Sequence, residues 1–213
     1  MKTILSILIG WFLVVNAFGQ IDGNPENWCR NGFFPRESKQ YSLGKVKAKK
    51  GERVYFYGDD GKDCPDGKNC RQKGYVIAGD EVIVSRNFGK WSCSWFQPKK
   101  GSETVGWILT EKLEFTPMLQ GIESYAGNWS FYNSSIEISK TANPKIFKVK
   151  GNAFWKGLGD NVHIGELDGN AEFAENILKY GEDDKSEYAC KVTLDLIGDY
   201  LIVSDNLNCG GVN

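Results

Sequence analysis

Short runs of alternating apolar and polar residues recur along the chain, each closed by Gly, Asp, Asn or Lys. In the first half these runs fall at residues 44–50, 53–57, 74–80, 81–85, 91–96 and 104–109. In the second half they fall at 125–132, 135–139, 145–150, 152–157, 162–167, 187–196 and 200–206, while 171–178 suits either a strand or a short helix. No useful length of helical periodicity appears, so the pattern predicts an all-β protein. The expected architecture is a small barrel followed by an antiparallel meander or second small barrel. Within 91–96, strand alternation sets Trp91, Cys93 and Trp95 on one face and Ser92, Ser94 and Phe96 on the other.

The chain begins differently. Met1-Lys2 precedes an apolar stretch over 4–17, and Ala17-Phe18-Gly19 then leads into Gln20. Positive start, apolar middle and small-residue end make residues 1–19 a secretory signal peptide. The stretch falls short of the roughly 20 residues a membrane span needs, and no other segment approaches that length. The expected location is secreted or periplasmic, with no membrane span. All six cysteines follow the leader: Cys29, Cys64, Cys70, Cys93, Cys190 and Cys209. An even set in an exported chain reads as three disulfides, though six cysteines allow many pairings. Locality favours Cys64 with Cys70 across a turn-rich loop and Cys190 with Cys209 across a hairpin, leaving Cys29 with Cys93. Zinc is not expected, because Cys-x5-Cys is not a zinc spacing and the chain has one His.

Hydrophobic residues make up 41% and charged residues 25%, too apolar for a disordered chain. The net charge of -1 argues against nucleic acid as a partner. The charge is unevenly spread. Residues 20–116 carry 17 Lys+Arg and 13 Asp+Glu, a balance of +4; residues 117–213 carry 8 and 14, a balance of -6. With Thr116-Pro117 and Gln120-Gly121 at the joint, this divides the mature chain into domains 20–116 and 117–213.

Gly79-Asp80 followed by Val82 and Val84, then Gly106-Trp107-Ile108 and Leu113, resembles a bacterial SH3-like domain over roughly residues 44–115. Many such domains resemble cell-wall-binding modules, and others only pack against a partner domain. The run from Tyr188-Ala189-Cys190 to Cys209-Gly210-Gly211-Val212-Asn213 resembles the end of a family of exported bacterial proteins that join an SH3-like domain to a C-terminal β-domain. Related C-terminal segments accompany modules that look like lysozyme inhibitors. In that family one more strand usually follows, so the second sheet is expected to end on an open edge. Gly127-Asn128-Trp129 looks like the opening of a lipocalin-type barrel; a barrel this short would be filled by its own side chains, with Trp129 in its core.

Catalytic motifs are scarce. His163 is the single His and has no recognisable nucleophile or orienting acid beside it. Glu166, Asp168, Glu172 and Glu175 include possible carboxylate pairs for glycoside hydrolysis, but an acidic domain explains them as well. The 59–63 run of acids lacks the closing Glu and the flanking helices of a calcium loop. No cofactor or metal is expected. The binding candidates are aromatics with basic neighbours in the first domain: Tyr57, Tyr75, Trp91, Trp95, Arg86 and Lys90, with Tyr55, Trp107, Arg71 and Lys73 nearby. Core packing competes for the same aromatics, above all for Trp91 and Trp95 if Cys93 is buried. The expected function is that of an exported, non-enzymatic binding protein. Its first domain would hold a cell-wall glycan or peptide, and its acidic domain a second partner. An inhibitor of an exported hydrolase such as a lysozyme, a cell-wall-acting enzyme, and a structural protein without a ligand are the alternatives.

Overall fold

The computed structural model describes residues 28–31, 34, 41–115, 121–156, 162–181, 186–206 and 208–209; at 155, 156, 162 and 163 it describes the backbone alone. Residues 1–19, read from the sequence as a leader, the joint at 116–120 and the run at 210–213 lie outside the described residues. Among the described residues the protein is all-β, in two antiparallel seven-stranded sheets.

The first sheet contains β1 (Ser42–Val46), β2 (Val54–Tyr57), β3 (Arg71–Val76), β4 (Glu81–Phe88), β5 (Trp91–Phe96), β6 (Thr104–Leu109) and β7 (Leu113–Phe115), in the order β3-β2-β6-β5-β4-β1-β7. It curls into a nearly closed barrel. Val76 from one edge strand and Leu113 from the other share a core with Val46, Val54, Phe56, Val82, Val84 and Ile108. Gly106 lets β6 approach β2: a Cβ there would lie 2.9 Å from the Tyr57 carbonyl oxygen and 3.1 Å from the Phe56 Cβ. Leading into β4, Gly79 takes a φ of 89° and the Asp80 carboxylate accepts the Ile77 N–H at 2.8 Å.

β5 and β6 are buried on both faces. Ile108 points into the barrel, while Trp91, Cys93, Val105 and Trp107 face outward into a second core. The segment around Cys29 covers that outer face. The Cys29–Cys93 disulfide ties it down, and the Asn31 Oδ1 accepts the Val105 N–H at 2.7 Å. Asp59, whose side chain is fully buried, accepts the Cys29 N–H and pairs with the Arg30 Nε at 2.6 Å. Linking residues 64 apart restricts the unfolded chain by about 4 kcal/mol in the chain-entropy picture. The other disulfides join Cys64 to Cys70 and Cys190 to Cys209, the pairs that locality along the chain favours.

The second sheet is a consecutive meander of β8 (Gly127–Phe131), β9 (Ser134–Lys140), β10 (Ile146–Lys156), β11 (Val162–Ala174), β12 (Ile177–Tyr180), β13 (Val192–Ile197) and β14 (Tyr200–Asp205). Its inward positions alternate as the sequence does: Ile138, Phe147, Val149, Ala171, Leu178, Val192, Leu194 and Leu196 form the core. Tyr125 is buried there, its hydroxyl donating to the Asn176 carbonyl at 2.9 Å and accepting the Leu196 N–H at 3.2 Å. Trp129 packs partly buried against this core, and its indole N–H donates to the Tyr125 carbonyl at 3.0 Å.

Several readings of the sequence change. The runs at 145–150 and 152–157 meet in the single strand β10, described to Lys156, because Gly151 continues the ladder opposite both Ile136 and Leu167. The run at 162–167 continues through 174 as β11, and of the run at 187–196 only Val192 onward is strand. The ambiguous 171–178 run is neither one strand nor a helix. Glu175 and Asn176 take φ of 55° and 66°, the left-handed pair that closes a two-residue hairpin between β11 and β12.

The sheets touch through apolar side chains. Leu43 and Ile83 of the first pack with Ile197 of the second, and Trp95 stands 5.9 Å from the Tyr200 ring and 6.0 Å from the Phe131 ring. Among the described residues, no helix is long and apolar enough to cross a membrane.

Asp59→Ala should strip the buried Cys29 N–H and Arg30 of their acceptor. A loss of about 2 kcal/mol is expected in denaturant unfolding with the disulfides intact; an unchanged midpoint would show that Asp59 does not hold the segment. Asp195 is half-buried on β13, and burial pushes its carboxyl above the ordinary aspartate range. Folding therefore favours its protonated form. Its stabilising contribution is whole below the ordinary pKa and is lost as pH rises through the raised one. Asp195→Asn should melt about 2 °C higher than wild type near neutral pH, with the gap closing near about pH 3. A gap that persists in acid would contradict this assignment.

Candidate functional site

Most of the first domain's large aromatics are committed to cores, but the outer face of β2 and β3 keeps several at the surface. Alternation explains this: Val54, Phe56 and Val76 point inward, so Tyr55, Tyr57 and Tyr75 point outward. A bulge between Tyr55 and Tyr57 re-aims the end of β2 and sets Tyr57 opposite Arg71.

Tyr57 borders an open hollow of about 580 Å3, completed by Asp66, Gly67, Lys68, Asn69 and Arg71. All of these except Tyr57 and Arg71 come from the loop that the Cys64–Cys70 disulfide closes. Within it the Gly67 N–H donates to the Asp63 carbonyl at 2.7 Å, and Lys68–Cys70 form one 3-10 turn. Beneath the hollow, the Trp91 ring lies 4.7 Å from the Tyr57 ring. Its indole N–H donates to the Asp66 Oδ1 at 3.2 Å, and the Lys90 Nζ pairs with the same oxygen at 2.7 Å. The Lys90 ammonium, with help from the Trp91 N–H, holds the Asp66 carboxyl below its ordinary range against an opposing push from burial.

The hollow thus offers one aromatic ring, a carboxylate acceptor, an amide and a guanidinium. Such a set can stack on an apolar ring face and hydrogen-bond a ligand rich in hydroxyls or amides.

The predicted candidates separate into four positions. Tyr57 lines the hollow, whereas Lys90 and Trp91 meet it through Asp66, and Trp91 is only 4% exposed. Tyr75, 41% exposed, lies farther along the same face with the Arg53 guanidinium 4.5 Å from its ring centre. Arg86 lines a smaller hollow of about 180 Å3 with Ser42 and Phe115. Trp95 stands at the contact between the sheets, its indole N–H donating to the Glu103 Oε2 at 2.8 Å. Asp66 and Asn69 were not among the predicted candidates; their signal was the polar, turn-rich composition between two close cysteines.

The possible catalytic carboxylates are placed as surface groups. Glu166, Asp168 and Glu172 lie on the exposed face of β11, Asp168 paired with Lys148 at 2.6 Å, and Glu175 sits in the following turn. His163 lies on β11 opposite Trp155 in the ladder. The Asp59 carboxylate is occupied by Cys29 and Arg30. No family model, curated protein or solved structure matches the chain.

The Trp91 indole N–H resonance should report the Asp66 titration. It is expected to shift as pH falls, with a midpoint below the ordinary aspartate range, and to stay still in Asp66→Asn. A shift that survives Asp66→Asn would assign it to another group.

Proposed function

We propose that the protein is an exported binding protein, without catalytic activity, whose first domain is SH3-like and holds a component of the cell envelope. The ligand is peptidoglycan, through its glycan or its peptide, and the Tyr57 hollow is where it binds. The observation that carries this reading is the Tyr57 ring set beside Arg71 of β3 and beside Asp66 and Asn69 of a disulfide-closed loop. Closing the loop lowers the ordering cost of binding, and the hollow's groups match the amide- and hydroxyl-rich chemistry of wall material. The three disulfides agree with an oxidising compartment. The second half, with its balance of -6, takes a second partner of opposite charge.

The test is co-sedimentation of the leader-free protein with isolated peptidoglycan sacculi at low and moderate salt. The protein is expected in the pellet at both, with Tyr57→Ala weakening the apparent affinity about tenfold, or 1.4 kcal/mol. Absence from the pellet at both salt levels refutes the wall reading. Pelleting that Tyr57→Ala leaves intact refutes the placement at this hollow.

A further inference from the structure

β3 is an edge strand: β2 pairs with one of its sides, and among the described residues no strand takes the other. It is held firmly from within. Val76 is in the barrel core, the Gln72 Nε2 donates to the Val105 carbonyl at 3.2 Å, and Gly74 sits where a Cβ would meet the Thr104 side chain at 2.8 Å. Arg71, Lys73 and Tyr75 are exposed on its outer face. There the guanidinium carbon of Arg71 lies 4.6 Å from the Tyr55 ring centre and that of Arg53 4.5 Å from the Tyr75 ring centre, and the two tyrosine rings are 5.9 Å apart. Among the described residues, no carboxylate pairs with Arg53, Arg71 or Lys73. Arg53 also bonds the Tyr55 side chain, and with five N–H donors each guanidinium keeps donors for a carboxylate.

We propose that the free edge of β3 takes up an extended acidic polypeptide segment as an added strand. The segment's main chain pairs with the rigid edge of β3. Its side chains alternate, so carboxylates at every second position fall on the outer face beside Arg71 and Lys73, within reach of Arg53. A polypeptide fits better than a polyanionic glycan, because a strand edge presents alternating N–H and C=O groups that another main chain satisfies. The site is separate from the Tyr57 hollow in its need for Arg53, Lys73 and the backbone of β3, and it stands whether or not the protein binds the wall.

Full leader-free protein, disulfides intact, is titrated with three short capped peptides: alternating Glu and Val, the same with Lys for Glu, and the Glu peptide N-methylated at alternate residues. Backbone amide exchange is followed across Arg71–Val76. The Glu peptide should bind at least about tenfold tighter than the Lys peptide, weaken with salt, and slow exchange within β3. N-methylation and the surface variant Arg53→Glu with Lys73→Glu should each cost about tenfold, whereas Tyr57→Ala should leave peptide binding unchanged. Equal binding of the Glu and Lys peptides, or none to the Glu peptide at about 1 mM, would overturn the proposal. Indifference to N-methylation would also overturn it, because that result marks a surface reading charge alone, as a polyanionic glycan would. The N-methylated peptide keeps the test decisive even if the double variant folds poorly.

Discussion

The burial of β5 and β6 on both faces is the constraint from which the rest of the first domain follows. Most strands of a small barrel send one face inward and one to water. Here Trp91, Cys93, Val105 and Trp107 make the outer face as apolar as the inner one. Such a face needs a cover, and the barrel has no strand left to supply it. The segment around Cys29 does so, held by a covalent bond, a buried carboxylate and the Asn31 side chain, whose Oδ1 accepts the Val105 N–H. Each of these answers a different liability. The disulfide limits the freedom of the unfolded chain, Asp59 satisfies a buried donor, and Asn31 satisfies the Val105 N–H.

That division of labour decides which aromatics remain available. The rings on β5 and β6 cannot leave the second core without exposing a large apolar area, so they serve as support. Trp91 shows this clearly: its ring packs beneath Tyr57 while its N–H positions Asp66. The tyrosines of β2 and β3 carry a polar tip and lie opposite the barrel core, so they can face water at little cost. The surface tyrosines of β2 and β3 therefore gather on one face, close to the loop stapled by Cys64 and Cys70.

The strands were legible because alternation is strong, and the opposite faces of Trp91, Cys93, Trp95 and Ser92, Ser94, Phe96 followed from period two alone. The hollow was half legible. Tyr57, Trp91 and Lys90 could be named from residue type, but their meeting with Asp66 depends on the bulge in β2 and on how the loop folds back. No local pattern encodes either. Arg86 and Trp95 illustrate the same limit. Both are of the right type in the right region, yet strand register carries Arg86 to a different hollow and Trp95 to the contact between the sheets. Trp95 meets Tyr200 and Phe131 across a large span of sequence, and such contacts leave no trace in composition or periodicity.

The contact at Trp95 also shapes how the opposed charges of the two halves act. It gathers Asp80, Glu81 and Asp199 near Tyr200, whose hydroxyl is pushed above its ordinary range by burial first and by these acids next. Like charges at the surface repel weakly, because salt screens them within about 8 Å under physiological conditions. Apolar burial of Leu43, Ile83 and Ile197 is not screened by salt. Docking of the sheets is therefore set by shape and apolar area, while the charges are left to face outward. Among the described residues, no ion pair joins the acidic second half to the basic β2–β3 face, so under the proposed function each set of charges can meet its own ligand.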